Sequence, residues 1–258
     1  MTQLYPSPVF GPVHSRRLGV SLGVNLMPSD RKCCSFDCIY CECGYNNEHH
    51  STTKMPTRKE VSEKLRRVLQ DMQLNGPTPD VITFAGNGEP TLHPHFAEIV
   101  DDVIRLRNEL FPDCKISVLS NATRITDDKV FAALEKVDNN ILKLDTVSAE
   151  YIKVVDRPVD KRYDVKAIIE RLKAFGERCI IQTMFMKGTH EGKEVSNLSD
   201  KYVNPWIEAI KEIKPSIVMI YTIDRETPDH GLQKAPREVL DDIRDRVIAA
   251  GIPCTASY

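Results

Sequence analysis

The chain has 258 residues, with 35 Lys and Arg against 37 Asp and Glu, a net charge of −2 and 41% apolar residues. Near-neutral charge removes the electrostatic argument for a protein whose main work is gripping nucleic acid. No apolar run approaches the roughly 20 residues that a membrane span needs, and the opening MTQLYPSPVFGPVHSRRLG lacks the apolar core of a secretory signal. These features predict a cytoplasmic protein without membrane contact. The length suits one α/β domain over residues 1–258, with the segment 1–17 packing on its core.

Strands and helices alternate along the chain. Residues 18–26 read as a strand, followed by a cysteine-rich loop over 33–44. Thr57 opens a helix, with Glu60 three residues on completing a capping box and Val61, Leu65, Val68, Leu69 and Met72 at helical spacing. Residues 81–85 form a short buried strand, and Phe96, Ile99, Val100 and Val103 mark the next helix. A strand over 116–119 precedes a helix capped by Thr126 and carrying Val130 and Leu134. A strand over 140–145 leads to a helix on Val165, Ile168, Ile169 and Leu172 that stops near Gly176. A fifth strand spans 179–186, and Val203, Trp206, Ile207 and Ile210 line the next helix. A sixth strand spans 217–221, and the last helix runs from Pro236 to Gly251. Six β–α units imply a parallel sheet covered by helices. Periodicity alone does not separate a partial (β/α)₆ barrel from a doubly wound open sheet. Both put the site at the C-terminal ends of the strands.

The chemistry-bearing residues therefore follow the strands. Five of the eight cysteines crowd one loop, and in a reducing compartment such a cluster reads as metal-binding. Cys34, Cys38 and Cys41 have the spacing C-x₃-C-x₂-C. Three thiolates hold three irons of a cubane and leave the fourth open, whereas electron-carrying ferredoxin clusters use four. Cys33 and Cys43 read as bystanders. The alternative is a zinc site drawing on His49 or His50. After the second strand, Gly86-Asn87-Gly88-Glu89 offers glycines that let a ligand approach the backbone, and a carboxylate suited to an ammonium group. A plain strand-to-helix turn is the competing reading. After the third strand, Ser120 and Asn121 are either ligand contacts or a local Asx turn. Lys143 and Asp145 share a face of the fourth strand, and burial requires that they pair with each other or with a ligand. Arg157 is a further candidate or an exposed loop arginine. Asp224 and Arg225 read equally as a surface ion pair. His93, His95, His190 and His230 read as solvated loop residues without partners.

With an aromatic residue, Tyr40, before its last cysteine, the C-x₃-C-x₂-C loop after the first strand resembles that of radical S-adenosylmethionine (SAM) enzymes. The resemblance implies a partial β/α barrel and a [4Fe–4S] cluster on Cys34, Cys38 and Cys41. It implies that the open iron chelates SAM and that one electron cleaves SAM to methionine and a 5′-deoxyadenosyl radical, which takes hydrogen from a substrate. By the same resemblance Gly86, Asn87, Gly88 and Glu89 hold the SAM amino group. Ser120, Asn121, Lys143, Asp145 and Arg157 serve SAM or substrate, and the backbone near Tyr221 holds adenine. Lys143 and Asp145 are the catalytic candidates. An electron donor such as flavodoxin or ferredoxin is implied. Gly11-Pro12-Val13-His14-Ser15-Arg16-Arg17-Leu18-Gly19, Gly-Asn-Gly-Glu-Pro-Thr, Lys-Leu-Asp and Tyr-Thr-Ile-Asp-Arg look most like the wyosine tRNA-base synthase branch. That branch carries second-cluster cysteines ahead of the loop, and nothing precedes Cys33 here. The small, bare core also resembles glycyl-radical activating enzymes, with a barrel mouth left open until a substrate closes it. The substrate classes implied are RNA or a nucleoside, a partner protein, or a small molecule. Outside enzymes, the rivals are an iron–sulfur electron carrier and a metal-stabilised binding module.

Overall fold

A computed structural model describes residues 3–15, 19–48 and 52–258. Arg16, Arg17 and Leu18 of the opening motif, and His49 and His50, lie outside the described residues. In chain order the first half comprises β1 (Val9–Ser15), β2 (Gly19–Val24), α1 (Arg58–Asn75), β3 (Val81–Phe84), α2 (Phe96–Leu110), β4 (Lys115–Ser120), α3 (Asp128–Leu134) and β5 (Asn139–Lys143). The second half comprises α4 (Ala149–Val155), α5 (Val165–Phe175), β6 (Ile180–Met184), β7 (Met186–His190), β8 (Lys193–Glu194), α6 (Asp200–Ile213), β9 (Ile217–Tyr221), β10 (Leu232–Lys234), α7 (Arg237–Ala249) and β11 (Cys254–Ser257).

The main sheet has the order β1-β2-β3-β4-β5-β6-β9-β11. All neighbours are parallel except β1, which runs antiparallel to β2. This order separates the two architectures. A doubly wound sheet reverses direction at a switch point, whereas here each parallel strand joins the far side of its predecessor. Right-handed crossovers then put the helices on one face, where α1 packs on α2, α2 on α3 and α5 on α6. The sheet curls into a partial barrel, with β1 and β11 as its edges.

Local chemistry explains the elements. Glu60 N donates to Thr57 Oγ1 at 3.3 Å and Thr57 N to the Glu60 carboxylate at 2.6 Å, the reciprocal capping box that starts α1. Val61, Leu65, Leu69 and Met72 form the buried stripe of that helix. All four residues of β3 are buried, as a strand covered on both faces requires. Trp206 of α6 is fully buried, meets Phe185 edge-on at 5.2 Å and donates Nε1–H to Leu144 O at 2.9 Å. Burying a side chain of that size contributes about 2–3 kcal/mol.

Several expectations change. The cap of α3 is Asp127, whose carboxylate accepts from Lys129 N at 3.0 Å, rather than Thr126. Asp145 lies beyond the end of β5. The run expected as one strand over 179–186 breaks at Phe185 into β6 and β7. The six-unit core gains β1 and β11 at its edges and the short helix α4. The core is also not bare: β10, β7 and β8 form a separate three-stranded sheet just past the C-terminal ends of β6 and β9.

Candidate metal centre and cofactor site

The cysteine loop leaves β2 at the C-terminal edge of the sheet and winds through two tight turns, Cys41 N to Cys38 O at 3.2 Å and Gly44 N to Cys41 O at 2.9 Å. Asn46 fastens its start. The Asn46 side chain accepts from Cys34 N at 3.0 Å and donates to Cys34 O and Phe36 O, both at 3.1 Å. Two walls hold the loop. On one side Cys33 N donates to Asn87 O at 2.8 Å and Glu89 N to Cys33 O at 3.1 Å. On the other, Asp37 N donates to Asp156 O at 2.9 Å, Ile39 N to Val155 O at 3.0 Å and Val159 N to Ser35 O at 2.9 Å.

All eight cysteines are free thiols. Cys38 is buried, and Cys34 and Cys41 are half-buried in the same apolar cluster as Phe36, Ile39 and Tyr40. Burial pushes the Cys34 thiol up to about 12, against the pull of Lys32. Burial raises the Cys38 thiol too, against Lys143. The Cys41 thiol falls to about 6, chiefly through the hydrogen bond from Cys43, with burial opposing. The Cys43 sulfur also lies 3.5 Å from Gly86 O, within reach of the glycine loop.

The counter-charge is Lys32. It is only 2% exposed, donates Nζ–H to Gly44 O at 3.0 Å and lies 3.6 Å from Asp37. Burial works against its charge, but Cys41, Cys38, Cys34 and Asp37 together raise its ammonium above the ordinary lysine range. A buried cation beside the cysteine loop favours thiolates over thiols there. Among the described residues no three His, Cys, Asp or Glu side chains gather around one point as a single-ion site would require. A cubane asks for something else, because each of its thiolates binds a different iron.

The second wall is the glycine loop. Gly86 and Gly88 have φ of +132° and +133°. A Cβ on Gly86 would lie 2.7 Å from the Asn25 side chain, and one on Gly88 would strike the backbone of Cys33. The fully buried Asn87 turns away from the loop's open side: it accepts from Tyr5 N at 2.7 Å and donates to Tyr5 O and Pro28 O at 2.9 and 2.8 Å. Glu89 accepts from Thr91 N at 3.0 Å, Thr91 Oγ1 at 2.6 Å, Ser120 Oγ at 2.9 Å and Asn121 N at 2.6 Å. Burial raises its carboxyl against these donors. Its Oε2 retains acceptor capacity for an ammonium group. Ser120 is thus engaged with Glu89. The Asn121 carbonyl makes an Asx turn to Thr123 N at 3.0 Å, while its amide reaches Cys34 Sγ at 3.3 Å and Ser35 Oγ at 2.9 Å.

The floor is a buried ionic cluster. Lys143 donates to Tyr40 Oη and Asp145 and lies 2.8 Å from Asp156 Oδ1. Tyr40 donates to Asp145, and Met184 N donates to Asp145 Oδ1 at 3.0 Å. Cys38 donates to Asp156 at 3.6 Å. Burial opposes the Lys143 charge, but Asp145 and Asp156 hold it well above the lysine range. The two candidates from the fourth strand therefore do pair with each other, and Asp156 joins them. Sequence reasoning missed Asp156; its one signal was its place beside Arg157. Arg157, at φ +51°, pairs with Asp37 at 3.4 Å and stacks 4.9 Å over Tyr45. Tyr221 closes β9, with its carbonyl accepting from Phe185 N at 2.8 Å. Arg225 reaches Gln3, Tyr5 and Glu42 at 3.0, 3.2 and 2.9 Å, linking the N-terminal segment to the cysteine loop. The histidines are not all solvated. His93 is buried against Pro56 O at 2.8 Å, and His190, at the end of β7, bonds Asp229.

Residues 32–199 match the model of the radical SAM superfamily. The UPF0026 protein of Helicobacter pylori strain 26695 is 32% identical over 250 residues, covering 94% of this chain and 73% of its own. The fold is similar to that of a radical SAM methyltransferase from Sphaerobacter thermophilus, with a TM-score of 0.67 at 16% identity over 92% of this chain and 66% of that one. It is also similar to TYW1 with a lysine-pyruvate adduct bound, with a TM-score of 0.60 at 15% identity over 89% of this chain and 73% of that one. No helix among the described residues is long and apolar enough to cross a membrane. The cysteine loop, the glycine loop and the parallel half-barrel lie within or beside the matched span, and the chain belongs to the radical SAM superfamily of iron–sulfur, SAM-dependent enzymes.

Proposed function

We propose that Cys34, Cys38 and Cys41 hold the [4Fe–4S] cluster of this enzyme, and that the backbone of Gly86–Gly88 with the Glu89 carboxylate receives the SAM amino group. When bound, the cluster and SAM supply reductive, homolytic chemistry that removes a hydrogen atom from a substrate C–H bond. The single observation that carries the reading is that Cys34, Cys38 and Cys41 share one apolar cluster on a loop bridged through Cys33 to Gly88 of the glycine loop. Asn121 donates to Cys34 and Cys43 hydrogen-bonds Cys41, so two of the three ligands have a donor for a thiolate, and the charge of Lys143 favours the thiolate of Cys38. The Lys143–Asp145–Asp156–Tyr40 cluster fixes the polar floor beneath SAM and substrate. Eight free cysteines fit a reducing, cytoplasmic setting.

Electron paramagnetic resonance on anaerobically reconstituted, dithionite-reduced protein tests the reading. A [4Fe–4S]⁺ signal that shifts when SAM is added, with methionine and 5′-deoxyadenosine as products, is the expected result. Cys34→Ala loses the cluster and Cys43→Ser keeps its iron. A cluster signal indifferent to SAM would make the chain an electron carrier and overturn the proposal.

A further inference from the structure

The cysteine loop is approached from outside the barrel as well as from its mouth. Between α4 and the segment leading into α5 lies a groove of about 470 Å³, lined by Ile152, Lys153, Arg157, Lys161 and Tyr163 among others. Its floor is one layer from the cysteines. The Tyr163 ring meets Phe36 edge-on at 5.2 Å. Phe36 packs in the apolar cluster that contains Cys38 and contacts Cys34 and Cys41. Phe36 also bridges Pro158, and Val159 N bonds Ser35 O at 2.9 Å, so groove and cysteine loop share backbone contacts.

The surface of the groove is cationic with apolar points. Lys153 and Lys161 are exposed and make no ion pair among the described residues. Of the acids that line the groove, Asp160 is bound by Arg162 at 2.9 Å, and Asp164 caps α5 through Lys166 N at 3.0 Å. Next to the lining residues, Val154 and Val159 are 39% and 60% exposed. Exposed apolar side chains among unpaired lysines are the composition of a transient docking surface for an acidic partner.

We propose that this groove docks an acidic one-electron donor protein that reduces the cluster through the Tyr163–Phe36 contact. The inference rests on the cluster assignment above. The donor loses one electron, the cluster passes from [4Fe–4S]²⁺ to [4Fe–4S]⁺, and no proton or bond changes hands. A donor docked here leaves the barrel mouth free for substrate.

The test uses the full, anaerobically reconstituted chain and reduced flavodoxin as the donor probe. Affinity for oxidised flavodoxin and the rate of cluster reduction by reduced flavodoxin are measured at low and high salt. Lys153→Glu combined with Lys161→Glu should weaken binding and slow reduction at least tenfold and flatten the salt dependence. Dithionite, too small to need a dock, should reduce that variant's cluster as it does the parent's. Lys59→Glu combined with Lys129→Glu, on α1 and α3, matches the change in net charge and should behave like the parent. Equal losses in the two double variants, or none in either, would overturn the docking assignment. A parent chain with no dithionite-reducible cluster would instead sink the cluster assignment, and the docking proposal with it.

Discussion

Gly88→Ala is the sharpest probe of how the two loops are joined. At φ +133° a side chain is strained before any contact is counted, at a cost of about 1–3 kcal/mol. A Cβ there would stand 2.5 Å from the carbonyl carbon of Cys33 and closer still to its oxygen. Those are backbone atoms held by Cys33 N to Asn87 O at 2.8 Å and Glu89 N to Cys33 O at 3.1 Å, so the clash is relieved only by moving the start of the cysteine loop. Overpacking of this kind costs about 1–3 kcal/mol. Adding the strain gives about 2–6 kcal/mol, a fall of roughly 10 °C in the thermal midpoint at the middle of that range for a chain of this length. Gly192→Ala is the control: φ is +76° but nothing lies within 4 Å, so only the left-handed backbone penalty of about 1 kcal/mol remains. The assay pairs the apo midpoint with iron per chain after anaerobic reconstitution. Gly88→Ala should lose both stability and iron, and Gly192→Ala should keep its iron. If the two variants melt alike and load alike, the glycine loop does not position the cysteine loop, and the two-wall account of the site is wrong.

Two further outcomes follow from the packing. Asp102 of α2 accepts from Arg58 at 2.6 and 3.0 Å and from Ser62 at 3.1 Å on α1, which lowers its carboxyl from 3.8 to about 2. Because the folded value is depressed, the stabilisation is whole above pH 3.8 and is lost as pH falls toward 2. Solvent around the half-exposed Arg58 limits it to about 1 kcal/mol. Denaturant titrations at pH 5 and pH 2.5 should therefore show Asp102→Asn destabilising at the higher pH and nearly neutral at the lower, and equal effects at both would refute the linkage. Asn87→Ala removes three hydrogen bonds, the one to Pro28 buried and the two to Tyr5 part-buried, that clasp these residues to the glycine loop, a loss of about 2–4 kcal/mol. Calorimetry should put its midpoint well below that of Leu74→Ala, which changes an 82% exposed side chain; a matching midpoint would remove the clasp from the argument.

What the sequence revealed follows how local each signal is. A capping box, a C-x₃-C-x₂-C loop and a Gly-x-Gly-Glu turn are short patterns whose chemistry is complete within a few residues, and Thr57, Cys34, Cys38, Cys41, Gly88 and Glu89 all lie at the C-terminal side of the sheet or at a helix start as expected. The strands β7, β8 and β10 escaped notice because they are short and largely polar and because β10 pairs with β7 across more than 40 residues, so neither periodicity nor an apolar run marks them. Lys32, Asn46 and Asp156 were missed for a related reason. Each is an ordinary polar residue whose meaning comes only from partners that the fold supplies: Gly44 and the cysteines for Lys32, the Cys34 backbone for Asn46, and Lys143 for Asp156. The choice between Lys143 and Asp145 pairing with each other or serving a ligand could not be made from spacing, because both need only a shared strand face. The structure adds the deciding element from 11 residues beyond Asp145. With Asp156 as a second carboxylate on one ammonium, Lys143, Asp145 and Asp156 form an ionic triad with Tyr40 beside it, and protein groups alone hold Lys143 in place. That makes Lys143 a preorganised charge rather than a mobile one. A lysine fixed 4.8 Å from the ring of Tyr40, the residue before Cys41, ties the ionic triad to the cysteine loop. A change at either should therefore be felt at the other.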